Sequence, residues 1–186
     1  PRSCVRATQD PVVTSDAALA HRVRLLRNYG SPVKYRHDLR GGNSRIDEYR
    51  AAVLRVKLAV LDTWNSRRRT VAGRYRHELS GIDGLTLPTV APWADPVWHL
   101  YVVRTRARDV LRKRLDSAGI QTGIHYPVPI HRTGAYADQA GPTGALPMAE
   151  TLATQVLSLP MGPHLSDAQV DRVVAAVRAS VPDALG

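Results

Sequence analysis

The chain has 186 residues, 44% hydrophobic and 23% charged, a size and composition that suit one soluble globular domain with a real core. No apolar run approaches the roughly 20 residues of a membrane span, PRSCVRATQD at the start has no secretory h-region, and one cysteine, Cys4, excludes an intrachain disulfide, so a reducing cytoplasm is the expected compartment. The formal charge of +10 is uneven: residues 22–76 carry 15 Lys or Arg against 4 Asp or Glu, an excess that either attracts phosphates or is a solvated Arg-rich helix surface.

Residues 1–10 predict no particular element, and Pro11–Thr14 reads as a short strand. Ser15 and Asp16 can cap a helix over Ala17–Arg27 with Leu19, Val23 and Leu26 on one face. Asn28-Tyr29-Gly30-Ser31-Pro32 stops that helix, and a polar loop leads to Gly41-Gly42-Asn43. Ser44 and Asp47 have capping-box spacing. Beyond them Ile46, Tyr49, Val53, Val56 and Val60 step by helical intervals, and Leu54, Leu58 and Leu61 widen the stripe, so this helix is expected to be covered on more than one side. A second helix over about Trp64–Leu79 would continue it as one long kinked rod.

Leu85–Leu87 offers a short strand, and Trp98–Arg104, aromatic and β-branched, the best one. Arg108–Ala118 predicts a helix with Val110, Leu111 and Leu115 inward, ended by Gly119. Ile120–Tyr126 alternates as a second strand, so the order strand, helix, strand indicates an α/β or α+β unit. The prolines of Pro127–His131 make that stretch a shaped loop. Another loop over 134–147 holds Tyr136. Met148–Leu157 predicts a helix, Leu157–Met161 extends from it, and Ser166 with Gln169 caps a last amphipathic helix through Val170, Val173, Val174 and Val177.

Two constellations can carry chemistry. Gly41-Gly42-Asn43-Ser44-Arg45 sits where the rod starts, and free N–H groups and the helix dipole there favour an anion, although the same residues also make an ordinary turn and cap. His125-Tyr126-Pro127-Val128-Pro129-Ile130-His131 brings two imidazoles and a phenol to a rigid loop, able to bind a polar ligand, to shuttle protons, or simply to pack a turn. No third ligand stands at a spacing that would make a zinc site, His99 reads as structural, and no phosphate loop, nucleophile elbow or Cys–His arrangement is present.

Taken together, GGNSRIDEYRAAVLRVKL, WNSRRRTVAGRYRHEL, VWHLYVVR, AGIQTGIHYPVPIH and LSLPMGPHLSDAQVDRVVAAVR resemble, in this order, the C-terminal half of the DegT/DnrJ/EryC1/StrS aminotransferases. The resemblance runs from about Pro11 to Val181. It implies the C-terminal part of the type I, aspartate-aminotransferase fold: an α/β protein whose small α+β domain has a mostly antiparallel sheet and long connecting helices. Residues 1–60 would be a remnant of the large domain that binds pyridoxal 5′-phosphate (PLP), and 61–186 the small domain. The implied activity is amination of nucleotide-linked ketosugars. Gly42, Asn43 and Arg45 fall in the family's Gly-x-Asn-x-Arg motif, whose Asn reaches the PLP phosphate of a neighbouring subunit. His125 and His131, with Tyr126 and Tyr136, would face the sugar. A homodimer or a separately encoded N-terminal half is the implied partner, since the site is shared.

Against the same family pattern the Schiff-base lysine is missing. The family strand of Gly-Asp-Gly-Gly-Ala-Val-Val-Thr type reads Gln9-Asp10-Pro11-Val12-Val13-Thr14 here, and the lysine position falls near residue 1, a proline. Only Lys34, Lys57 and Lys113 occur. The expectation is therefore a degenerate remnant or a split subunit, with no catalytic residue of its own and inactive alone. Two other readings stand beside it: a non-catalytic phosphate- or nucleic-acid-binding protein using residues 22–76, and a dimerisation partner of an intact paralogue.

Overall fold

The computed structural model describes residues 3–7, 10–139, 141, 142 and 144–184. Gln9 and the lysine position near residue 1 lie outside them. The chain divides into two units, Pro1–Val60 and Leu61–Gly186.

The first unit opens on a hairpin that the sequence analysis does not anticipate: β1 (Ser3–Ala7) pairs antiparallel with β2 (Asp10–Thr14), from Ser3 opposite Thr14 to Ala7 opposite Asp10. Helix α1 (Ala17–Leu26) starts where expected, because Asp16 Oδ1 accepts the Ala18 and Leu19 N–H groups at 2.8 and 3.1 Å. Its inward face is smaller than its pattern suggests. Only Ala20 is buried, while Leu19 and Leu26 stay exposed.

Helix α2 (Glu48–Ala59) corrects the expected capping box. Asp47 is the cap and accepts the Arg50 N–H at 2.7 Å; Ser44 stands upstream, its own N–H bonded to the Arg27 carbonyl at 2.8 Å. The expected covering is absent too. No α2 residue is buried, and Tyr49 and Val56 are 79% and 74% exposed. The helical stretch is interrupted at a single residue. Val60 (φ −112°, ψ 4°) leaves helical geometry, its N–H turning back to the Lys57 and Leu58 carbonyls, before α3 (Leu61–Leu79) begins.

The second unit is built on β3 (Tyr101–Arg104) and β4 (Val156–Leu159), antiparallel with Tyr101 opposite Leu159 and Arg104 opposite Val156. Antiparallel bridges Thr86–Arg104 and Gly123–Ser158 extend the sheet on either side. The expected strand over Ile120–Tyr126 is thus reduced to one bridging residue, Gly123. All four β4 residues are buried, since neighbours flank it on both edges and helices cover it. Those helices are α3, α4 (Arg108–Ser117) and α6 (Asp167–Ala184), and Val71, Tyr75 and Leu79, Leu111 and Leu115, and Val170, Val173 and Val177 meet in one core. Val110, expected inward, is 45% exposed: it lies off the 111/115 stripe.

Helix ends follow local chemistry closely. Gly119 (φ +72°) ends α4 with its N–H on the Asp116 carbonyl and the Ile120 N–H on the Leu115 carbonyl, both at 2.8 Å, while Leu115 and Ile120 are buried. That is a Schellman motif. At α6 the Ser166 N–H meets Gln169 Oε1 at 2.9 Å and the Gln169 N–H meets Ser166 Oγ at 3.2 Å, the reciprocal capping box expected. Helix α5 (Pro147–Gln155) has proline in its first turn and passes straight into β4, two residues before the predicted helix end.

Candidate functional site

In the first unit the Gly41–Arg45 segment lies backbone to backbone on the turn after α1. Gly42 N–H bonds the Leu26 carbonyl at 2.9 Å and Tyr29 N–H bonds the Gly42 carbonyl at 3.0 Å. A Cβ on Gly41 would stand 2.4 Å from Gly30 N and 2.5 Å from Leu26 O, so only glycine permits this approach. The physical basis expected for an anion site is therefore corrected: α2 starts at Glu48, and the N–H groups of Gly42 and Ser44 are already spent on carbonyls.

What this segment offers is a side-chain donor set. Arg45 Nε donates to Asn43 Oδ1 at 3.1 Å and Arg45 Nη1 to Asn28 Oδ1 at 3.2 Å, while its guanidinium lies 5.7 Å from the centre of the Tyr29 ring. The bond to Oδ1 leaves the Asn43 amide N–H groups as donors beside a fixed positive charge.

The second unit gathers the other four candidates. His125, Tyr126, His131 and Tyr136 line one cavity of about 1100 Å³, completed by Pro127–Ile130 and Thr133 and by Leu146, Ala149, Leu152, Ala153 and Val156. Its walls are the proline loop, a 3₁₀ turn at Ile130–Arg132, and the α5–β4 junction. The lining is mainly apolar with a few convergent polar tips, the usual make-up of a small-molecule site.

Each imidazole is anchored from behind. His125 Nδ1 lies 2.9 Å from the hydroxyl of Ser158, a residue of buried β4. His131 Nε2 lies 3.1 Å from Glu150 Oε1 on α5. The same carboxylate accepts from Arg132 Nη2 at 2.9 Å and from the Gly144 N–H at 3.0 Å. The bond from His131, then those from Arg132, and the Gly144 N–H hold the Glu150 carboxyl at about 2, well below the usual carboxylate range. Arg132 also donates to the carbonyls of Gly141 and Pro142, so Glu150 ties the 3₁₀ turn, the following loop and α5 together.

Sequence reasoning misses Glu150, Arg132 and Ser158. Glu150 reads as an ordinary acid in a helix first turn, and Ser158 is hidden inside an apolar run. Neither carries a local signal for a partner 19 or 33 residues away. His99, expected to be structural, is exposed. Among the described residues no three His, Cys, Asp or Glu side chains gather as a metal needs, and no helix is long and apolar enough to cross a membrane.

Part of the basic segment is neutralised at home. Arg67 pairs with Asp167 and Arg69 with Asp95, each at 2.9 Å, and Arg74 pairs with Glu78 and Asp171. Arg67, Arg69 and Arg74 thus knit the second unit, which weakens the case for a nucleic-acid surface along α3. Of the aromatics there, Tyr75 is buried while Tyr29, Tyr35 and Tyr49 are exposed.

A sequence model of the DegT/DnrJ/EryC1/StrS aminotransferase family matches residues 11–178. The chain is 57% identical over 168 residues to the erythromycin biosynthesis sensory transduction protein EryC1 of Saccharopolyspora erythraea, covering 90% of this chain and 46% of that protein. It is 58% identical over 167 residues to a dTDP-3-amino-3,4,6-trideoxy-alpha-D-glucose transaminase of Streptomyces venezuelae, covering 90% and 44%. The X-ray crystal structure of S. venezuelae DesV in complex with a ketimine intermediate matches with a TM-score of 0.88 at 57% identity, over 91% of this chain and 46% of that one. The chain spans about half the length of the curated relatives it matches.

Proposed function

The chain belongs to the DegT/DnrJ/EryC1/StrS aminotransferase family, and from that membership we propose that it works as the C-terminal half of a PLP-dependent aminotransferase acting on nucleotide-linked ketosugars. The observation that carries the proposal is the meeting of His125, Tyr126, His131 and Tyr136 on one cavity, in a chain 58% identical to a transaminase of a dTDP-linked deoxysugar. A deoxygenated hexose presents few hydroxyls and much C–H surface. A wall of proline, valine, isoleucine and leucine excludes water around such a ring, and the two imidazoles and two phenols meet the hydroxyls and the oxo group that remain. Cytoplasmic work follows from a nucleotide-linked substrate.

The residues of the first unit fit a phosphate in kind. An amide and a guanidinium, Asn43 and Arg45, are donors such a dianion takes, with Gly42 beside them leaving open space where a side chain would stand. We assign them to the cofactor phosphate of a neighbouring subunit, so the working assembly is a dimer or a complex with a lysine-bearing N-terminal half. PLP, when bound, supplies the electron sink for moving an amino group. This chain's own residues bind, orient and exclude water. On this reading the lysine that carries the cofactor comes from elsewhere, since the family resemblance matches none of Lys34, Lys57 and Lys113 to its position.

Borohydride reduction of the 186-residue chain mixed with PLP tests this. We expect no stoichiometric label on any of its three lysines, and amino transfer to a dTDP-ketosugar only after a lysine-bearing N-terminal half is added. One lysine of this chain labelled to stoichiometry overturns the proposal.

A further inference from the structure

The two imidazoles of the cavity are held by chemically different partners. His131 Nε2 faces Glu150 Oε1 at 3.1 Å, and an ionised carboxylate only accepts, so this nitrogen must carry a proton. Arg132 and the Gly144 N–H bind the same carboxylate and keep it ionised. His125 Nδ1 faces the Ser158 hydroxyl at 2.9 Å, and a hydroxyl either donates or accepts by rotating. Ser158 is itself fixed: its N–H and carbonyl both bridge to Gly123, at 2.7 and 3.1 Å. Gly123 makes room for the ring, since a Cβ there would stand 2.6 Å from His125 Cε1.

We propose that Glu150 and Ser158 are positioning residues that divide proton work between the two rings: Glu150 fixes His131 with Nε2–H turned to itself and Nδ1 as the free acceptor, whereas Ser158 holds the His125 ring in place but lets its tautomer exchange. The role in amino transfer rests on the reading of this cavity as the sugar site. On that reading His125 both accepts and donates a proton at Nε2, the Ser158 hydroxyl rotating to match, and His131 is a fixed acceptor for a substrate hydroxyl.

Long-range proton–nitrogen correlation spectra of the histidine-labelled full chain, at about pH 9 where ordinary imidazoles are neutral, test this directly. H125N and H131N spectra assign the two rings. The expected result is a pure Nε2–H pattern for His131 in the native chain and in E150Q, which keeps an acceptor oxygen. That pattern is lost in E150A, and His125 shows an averaged pattern of both tautomers. A mixed or Nδ1–H pattern for His131 in the native chain overturns the proposal, as does an Nε2–H pattern unchanged in E150A. If E150A does not fold, the native and E150Q spectra decide. A single fixed tautomer for His125 overturns the Ser158 half. Titration with dTDP-glucose, once a lysine-bearing N-terminal half has been added, separates the two readings: shifts of both ring signals support the sugar site, and unmoved signals with the expected tautomers overturn the sugar site while the positioning stands.

Discussion

Gly41 and Gly42 are neighbours in sequence and opposites in consequence. A methyl group on Gly41 runs into the backbone of Gly30 and Leu26, whereas one on Gly42 meets nothing within 4 Å. G41A is therefore expected to destabilise the first unit by roughly 2–3 kcal/mol, as overpacking against backbone does, and G42A to stay within about 0.5 kcal/mol; thermal melting of the two variants checks the contrast. At Glu150 the prediction is a pH dependence. Its carboxyl is held at about 2 in the folded chain against about 4.3 when unfolded. The stabilisation is thus complete above about 4.3 and is lost as pH falls through about 2. The melting temperature of the native chain should exceed that of E150Q by a constant margin near neutral pH, and the margin should close between those values. A margin that stays constant to pH 2 would refute the assignment. Tyr101 shows the opposite sign: burial pushes its phenol up to about 12, and its hydroxyl finds no partner among the described residues. The sequence made His125 and His131 visible as candidates because the prolines between them mark a shaped loop. It left their partners dark, because a hydrogen bond across 33 residues leaves no trace in local spacing.

At the scale of elements, caps and stops are legible where the whole motif is local. Ser166 and Gln169, three apart, form the reciprocal pair their spacing predicts, so S166A should cost about 1 kcal/mol in chemical denaturation. The stripe of α4 is read correctly at Leu111 and Leu115, both fully buried; L111A should cost about 3 kcal/mol by the same measurement, and V110A almost nothing. Legibility fails where two signals compete. Ser44 and Asp47 have cap spacing, but Ser44 N–H is drawn to the Arg27 carbonyl, so the helix starts after Asp47. A tertiary backbone bond outbids the local cap. The α3 arginines look like a basic face in the sequence. Folded, three of the five, Arg67, Arg69 and Arg74, are the cations of ion pairs to Asp167, Asp95 and Asp171, acids 26 to 100 residues distant.

Over the whole molecule, the second unit closes a core while α2 of the first leaves its apolar stripe open. Tyr49, Val53, Leu54, Val56, Leu58 and Val60 are all exposed, a patch of the sort that marks an interface. The double variant V56K/L58K should leave the melting temperature unchanged, because neither side chain packs inside this chain. The native chain is expected to associate with rising concentration in sedimentation and the variant to stay monomeric; association that survives the charges would place the interface elsewhere. By itself the sequence determined the family, the helix ends set by Gly119 and the α6 capping box, the core stripe of α6 and the Leu111 and Leu115 part of that of α4, and the loop that carries the two histidines. All of these rest on residues close together in the chain or on an ordered run of motifs. Only the tertiary structure decided that β1 pairs with β2, that the helical stretch breaks at Val60, that β4 is buried throughout, and that Glu150 and Ser158 stand behind the imidazoles. Those outcomes depend on which distant backbone and side chain arrive to satisfy a donor or cover a face, and spacing along the chain does not encode that arrival.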